Sequence, residues 1–252
     1  MTNCPVTGSY TLPSLGKVYG DKQINPEVTL RSMTTAEEMK RLNPSDRAYK
    51  VLADIIDDCL IEKLPISSYD MCLGDYQYLM HKLRIVTYGS TYALSTTCPY
   101  CGCVNKGKIN LTEMEVFKYD DSLQKYFELD LPITGHHITL KMQTPRMLDD
   151  IAVESKELRK KYPNITGDTA FFLTIEHLID LVDGKKPDPV LKPDFVRNLP
   201  MMDTNTILAY SQKLNERVGL NTVLDNKCDY CGLEYQSSFR TTGEFFRPTV
   251  NI

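Results

Sequence analysis

The sequence predicts an α+β fold, with blocks of helix and blocks of strand following one another rather than alternating. Three observations carry this. Apolar residues recur at helical spacing in three early and three late stretches. Short β-like runs broken by Gly and Pro lie before, between and after those stretches. Two nearly identical motifs, CPYCGC at 98–103 and CDYCG at 228–232, sit inside the β-like runs. The chain has 252 residues, 42% hydrophobic and 25% charged, which is globular composition at a length that can bury a sizeable core.

Residues 1–32 lack a helical period and read as an extended N-terminal arm. At full extension thirty residues reach roughly 100 Å, so the arm can run along a partner; the other reading is a strand that finishes the chain's own sheet. A helical region follows over 33–92. Thr34 stands three residues before Glu37, the spacing of a capping box, and Asn43-Pro44 ends that helix. Residues 45–64 place Ala48, Leu52, Ile55, Ile56, Cys59 and Leu60 on one stripe. Residues 74–89 do the same with Tyr76, Leu79, Met80, Leu83 and Val86, and Gly89 suits the C-cap. His81 and Arg84 lie near that helix's border and are expected in solvent.

Residues 93–144 hold the first cysteine motif and two expected hairpins, one over 104–114 with Lys106-Gly107 in its turn and one over 127–143 turning near Thr134-Gly135. A mainly helical insertion over 145–220 is expected to contain helices at 145–162, 168–183 and 203–218, divided by Asn164, Gly167, Gly184 and the Pro-rich 185–195. Met201-Met202 precede the last helix and read as packing residues. Residues 221–252 return to alternating β character around the second cysteine motif.

The cysteine motifs admit three readings. CPYC resembles the active site of glutaredoxins. A redox CxxC opens a helix whose N-terminus lowers the first thiol's pKa, whereas Cys101 is followed by GCVNKG, which has no helical pattern. That reading also leaves CDYCG without a role. Two unrelated reduced pairs are the plainest alternative. The favoured reading is a pair of zinc knuckles. Two residues between cysteines let both thiolates meet one ion, and the glycine after the second permits the turn's backbone. Cys98, Cys101, Cys228 and Cys231 then form a closed tetrahedral set that leaves no open position for chemistry, so the Zn2+ is structural. Cys103 is a substitute at the wrong spacing, and four thiolates suit iron as well. Zinc ribbons commonly separate their halves by 15–20 residues; here a helical insertion would split the ribbon. The fold expected is a helical N-terminal region plus a split four-cysteine zinc ribbon with a mainly helical insertion.

Other chemistry is poorly represented. Adjacent residues in a strand face opposite ways, so His136-His137 read as an exposed turn pair rather than ligands of one metal. The pairs Asp57-Asp58, Asp120-Asp121 and Asp149-Asp150 diverge for the same kind of reason, and no nucleotide-loop, triad or HExxH motif occurs. No enzyme is indicated. The formal net charge is −4 and the pI near 5.6, which argues against nucleic acid as a partner, although Lys106, Lys108 and Lys118 can form a local basic patch. The N-terminus lacks a secretory pattern and no apolar run has a membrane span's length, so synthesis in the cytosol, without a membrane partner, is expected.

Taken together, Leu12, Pro13, Ser14, Gly16 and Tyr19, then Arg31, Thr34 and Glu37, then Asp75, Leu79, Leu83, Arg84, Tyr88 and Gly89, then Cys98 and Cys101 form an ordered series. Over roughly residues 10–145 it resembles the baseplate hub family of T-even-type contractile-tailed bacteriophages. The resemblance implies a non-enzymatic structural protein of the tail baseplate in the virion, with other hub proteins and the tape-measure protein as partners and self-association allowed. Tyr10, Tyr19 and Tyr88 are expected as aromatic anchors in those contacts. An assembly chaperone absent from the virion and a zinc-ribbon adaptor for nucleic acid are the alternatives.

Overall fold

The structure is a computed structural model that describes residues 5–22, 24–239, 245 and 246. Strand β1 (Thr7–Thr11) pairs antiparallel with β2 (Glu27–Arg31), so the 1–32 segment, where described, turns back on itself instead of extending. The reason is apolar burial: Leu12 and Leu30 are both fully buried in a cluster with α2 (Ala48–Cys59) and α3 (Leu73–Tyr88). The short α1 (Thr35–Arg41) precedes α2 and begins on the expected capping box of Thr34 and Glu37.

Helix α2 has no side-chain cap of its own. Asp149 supplies one from a distant helix, accepting from the backbone N–H of Tyr49 at 3.3 Å and of Lys50 at 2.9 Å. Its neighbour Asp150 pairs with Arg47, which also donates to the Tyr69 hydroxyl at 3.0 Å, and that hydroxyl donates to Asp149 at 3.1 Å, so these two carboxylates meet at one end of α2 instead of diverging as expected. Helix α3 ends on Gly89 at φ 85°. Its stripe of Tyr76, Leu79, Met80 and Leu83 is buried, but so are His81 and Arg84, each 2% exposed, which corrects the solvated-surface reading. Arg84 reaches back to the Gly89 carbonyl at 2.9 Å and lies over the Tyr88, Tyr92 and Phe245 rings, while His81 stacks on Phe245. Aromatic residues from distant parts of the chain cover that border.

Strand β3 (Thr91–Thr97) pairs with β4 (Val104–Asn110). The expected 104–114 hairpin is therefore wrong: residues 104–110 are one strand, Gly107 lies opposite Leu94, and the turn is the first cysteine motif. Beyond β5 (Val116–Phe117), strand β6 (Glu128–Asp130) pairs with β7 (His137–Leu140) through the expected turn at Gly135. Helix α4 (Pro145–Lys161) follows, and α5 (Thr169–Leu178) stops earlier than expected. Residues beyond it form β8 (Ile179–Val182), which adds to β7. Tertiary pairing prevails there, because IDLV also suits a strand.

The Pro-rich segment contains a short α6 (Lys192–Arg197), and α7 (Met201–Glu216) completes the insertion. Met201 and Met202 are 61% and 60% exposed, so they are not packing residues. They are the first two residues of α7 and lie on its outer side; Asp203, in the same turn, is fully buried and accepts from the backbone N–H of Ile133 and Thr134. Strand β9 (Gly219–Leu220) pairs with β5, and β10 (Val223–Lys227) pairs with β11 (Glu234–Ser238). The expected N-terminal residues 1–4 and most of the tail after residue 239 lie outside the described residues. The mixed helix and sheet content agrees with an α+β chain.

Candidate metal centre

Each cysteine motif forms the turn of a two-stranded ribbon, β3–β4 for the first and β10–β11 for the second. The turns are built alike. The Cys98 N–H donates to the Cys103 carbonyl at 2.9 Å, and the Cys228 N–H to that of Leu233 at 3.0 Å. The Gly102 N–H donates to the Cys98 carbonyl at 3.0 Å, and the Gly232 N–H to that of Cys228 at 2.9 Å. Gly102 and Gly232 have φ of 71° and 74°, a region where a Cβ is strained and glycine is not. The sequence repeats because the local geometry repeats.

The two turns meet. The sulfurs of Cys98, Cys101, Cys228 and Cys231 lie within 4.8 Å of one another. Across the halves, Cys98 Sγ is 3.7 Å from Cys231 Sγ, and Cys101 Sγ is 3.6 Å from Cys228 Sγ. Four thiolates bound at ~2.3 Å in a tetrahedron sit roughly 3.8 Å apart, so the spacing matches a single four-sulfur site. Cys98 and Cys228 are buried, while Cys101 and Cys231 reach the surface. Cys103 is not one of the four.

Two residues that sequence reasoning missed hold the halves together. Asn105 donates from Nδ2 to the Tyr235 hydroxyl at 3.1 Å and to Cys228 Sγ at 3.6 Å, and its Oδ1 accepts from the Asp229 N–H at 2.9 Å. Tyr235 also shares a 2.7 Å hydrogen bond with Thr96. Both residues are buried, and each lies seven positions after its motif's first cysteine. Superposing the motifs in sequence would have singled them out. The backbone N–H of Cys231, opposed by desolvation and aided by the Tyr230 N–H, Asn105 and Cys101, pulls the Cys228 thiol down to about 6. Cys101 and Cys231 move the other way: opposed by the backbone N–H groups of Cys103 and Leu233, desolvation and the neighbouring sulfurs raise them.

The candidate histidines are half-buried rather than an exposed turn pair, with His137 opening β7 and His136 edge-on to Phe195. His136 meets Asp183 and His137 meets Asp130, each at 2.8 Å, so they part to different carboxylates. No helix follows Cys101, whose chain continues into β4, unlike a glutaredoxin-type site.

A second buried constellation gathers the early motif. Asp75, fully buried in the first turn of α3, accepts from the Ser14 N–H at 2.9 Å, from the Ser14 hydroxyl, and from the Tyr19 hydroxyl at 2.6 Å. The Tyr19 oxygen in turn accepts from the Cys72 N–H at 3.4 Å. The Tyr19 hydroxyl is thus engaged within this chain, and Tyr10, Tyr19 and Tyr88 are half-buried and packed against the core. Burial raises the pKa of Asp75 against the hydrogen bonds that lower it.

A model of the family described as T4 bacteriophage base plate protein matches residues 6–247. The chain belongs to that family. No match is found among curated proteins or among solved structures. Base plate family membership indicates a structural protein of the phage tail and implies contacts with other baseplate components. The match extends well past the resemblance over residues 10–145 and takes in both cysteine motifs. No helix among the described residues is long and apolar enough to cross a membrane.

Proposed function

We propose that this base plate protein is a non-enzymatic component of the central hub, in which a zinc ion held by Cys98, Cys101, Cys228 and Cys231 staples the two ribbon halves. The observation that carries the reading is the gathering, in a chain of this family, of four sulfurs from two distant motifs at tetrahedral spacing. Zinc bound there would supply a fixed crosslink and no reactive position, because all four sites around it are taken. Asn105 and Tyr235 would orient the ligands from outside, as hydrogen-bonded neighbours of metal sites do. The residues on the outer side of the turns suit contact with neighbouring hub proteins and the tape-measure protein: Tyr100 is 63% and Tyr230 71% exposed, one at the same place in each turn.

Two measurements test this. Elemental analysis of the purified chain should give one zinc per chain, lost when Cys101 and Cys231 are both changed to Ser; iron instead would replace the metal while keeping the staple. Quantitative mass spectrometry should find a few copies per particle in constant ratio to the tape-measure protein. Abundance in the lysate with none in particles would overturn the hub role and make the chain an assembly factor.

A further inference from the structure

A groove of about 740 Å³ runs between α4 and α5 and is closed at one end by the 162–168 loop and α6. Its walls combine two chemistries. Leu158, Phe172 and Leu173 give it an apolar floor continuous with the small core between these helices, and Ile165 and Tyr162 form a lip that is 40% and 51% exposed. Around that floor stand Glu154, Glu157 and Glu176.

The charges do not balance within the groove. Lys161 lies over the Tyr162 ring, and Arg197 pairs with Asp194 and stacks on Phe172. Asp168 is occupied in capping α5, and Glu154 shares a 3.1 Å contact with His177. Glu157 and Glu176 have neither a hydrogen bond nor an ion pair among the described residues. Glu176 is half-buried beside the apolar floor, and burial raises its pKa despite the attraction of Lys192. A carboxylate left in that setting is stabilised by an incoming cation, which desolvates with it and pairs.

We propose that this groove is a docking site for a cationic amphipathic helix of a neighbouring protein chain, its apolar residues on Phe172 and Leu158 and its Lys or Arg residues on Glu157 and Glu176. Apolar floor with acidic rim is the complement of an apolar stripe flanked by basic residues, and a channel between two helices is a common seat for a third. Charge complementarity favours this class of partner: an acidic segment would set its carboxylates against Glu157 and Glu176, with only Lys161 and the more distant attraction of Lys192 to offset them. The inference is independent of the metal.

The probe is a fluorescent Leu/Lys amphipathic peptide of about fourteen residues, long enough to form helix on binding, beside its Leu/Glu counterpart. Both are titrated into the full chain at low and high salt. The basic peptide should bind saturably and more weakly in salt, with exchange protection confined to 154–176 and 192–197, and the acidic peptide should not bind. Glu157→Lys/Glu176→Lys should weaken the basic peptide at least about tenfold. If that variant unfolds, Glu157→Gln/Glu176→Gln keeps the shape and should flatten the salt dependence. Equal binding by wild type and either folded variant, equal binding of both peptides, protection elsewhere, or no saturable binding would each overturn the proposal.

Discussion

Asp75 shows how much a single buried carboxylate can organise. Three donors from Ser14 and Tyr19 converge on it and fix the turn after β1 to the start of α3. Tyr19→Phe removes one donor to a buried carboxylate and leaves the Cys72 N–H without its acceptor. The expected cost is about 1.5–3 kcal/mol in urea unfolding; a change within error would mean that water replaces the hydroxyl. Glu37 has the opposite electrostatics. The Arg31 guanidinium, opposed by desolvation and aided by Thr34, holds its carboxyl at about 2 against an ordinary 4.5. A depressed acid stabilises the fold above its unfolded value and loses that contribution as pH falls towards the folded one. Glu37→Gln can keep the capping geometry without the charge, so the fall in stability between pH 4.5 and about 2 should become shallower. Identical acid limbs in the two proteins would refute the assignment.

At the level of elements, α3 and β9 approach through a pair of glycines. A Cβ on Gly74 would collide with the Val218 carbonyl, while Gly219, at φ 120°, lies against the Gly74 backbone. Gly74→Ala is expected to destabilise by about 3 kcal/mol, the upper end for overpacking, because the obstacle is backbone rather than a movable side chain. Thermal unfolding checks this, and an unchanged midpoint would show that the helix can shift freely. Much of this layer is legible in sequence. The Thr34 capping box, the Gly89 stop, the turn at Gly135 and the apolar stripe of α3 depend on residues close together in the chain. What escaped is set by distant partners. Residues 179–182 become a strand because β7 offers an edge, and His81 and Arg84 are covered by rings from the chain's far end. The 104–114 hairpin fails because the cysteine turn, rather than Lys-Gly, sets the register of β4.

For the whole molecule, the approach of the four cysteines to one another was legible, since two like CxxC motifs in one chain suggested two halves of one object. Their support by Asn105 and Tyr235 was less so, as neither residue type identifies itself. The buried sulfurs Cys98 and Cys228 cluster with Tyr235 apart from the two large apolar cores. With the proposed zinc staple, removal of metal by a chelator should therefore open the ribbon and leave most helix intact. Thiol labelling should gain four reactive groups while far-UV helical signal changes little, with Cys59 and Cys72 slow because burial pushes both thiols up, Cys59 to about 12. Helical signal lost in step with the metal would mean that the staple holds the whole chain.

The split between the motifs also gives the site a place in time. Cys98 and Cys101 leave the ribosome long before Cys228 and Cys231, with the entire helical insertion made in between. At roughly 5–20 residues per second, the first two thiols wait on the order of ten seconds for their partners. A chain cut short between the motifs by a stop codon or by proteolysis keeps only the first pair of the four cysteines. Only a chain translated through Cys231 can close the four-sulfur site.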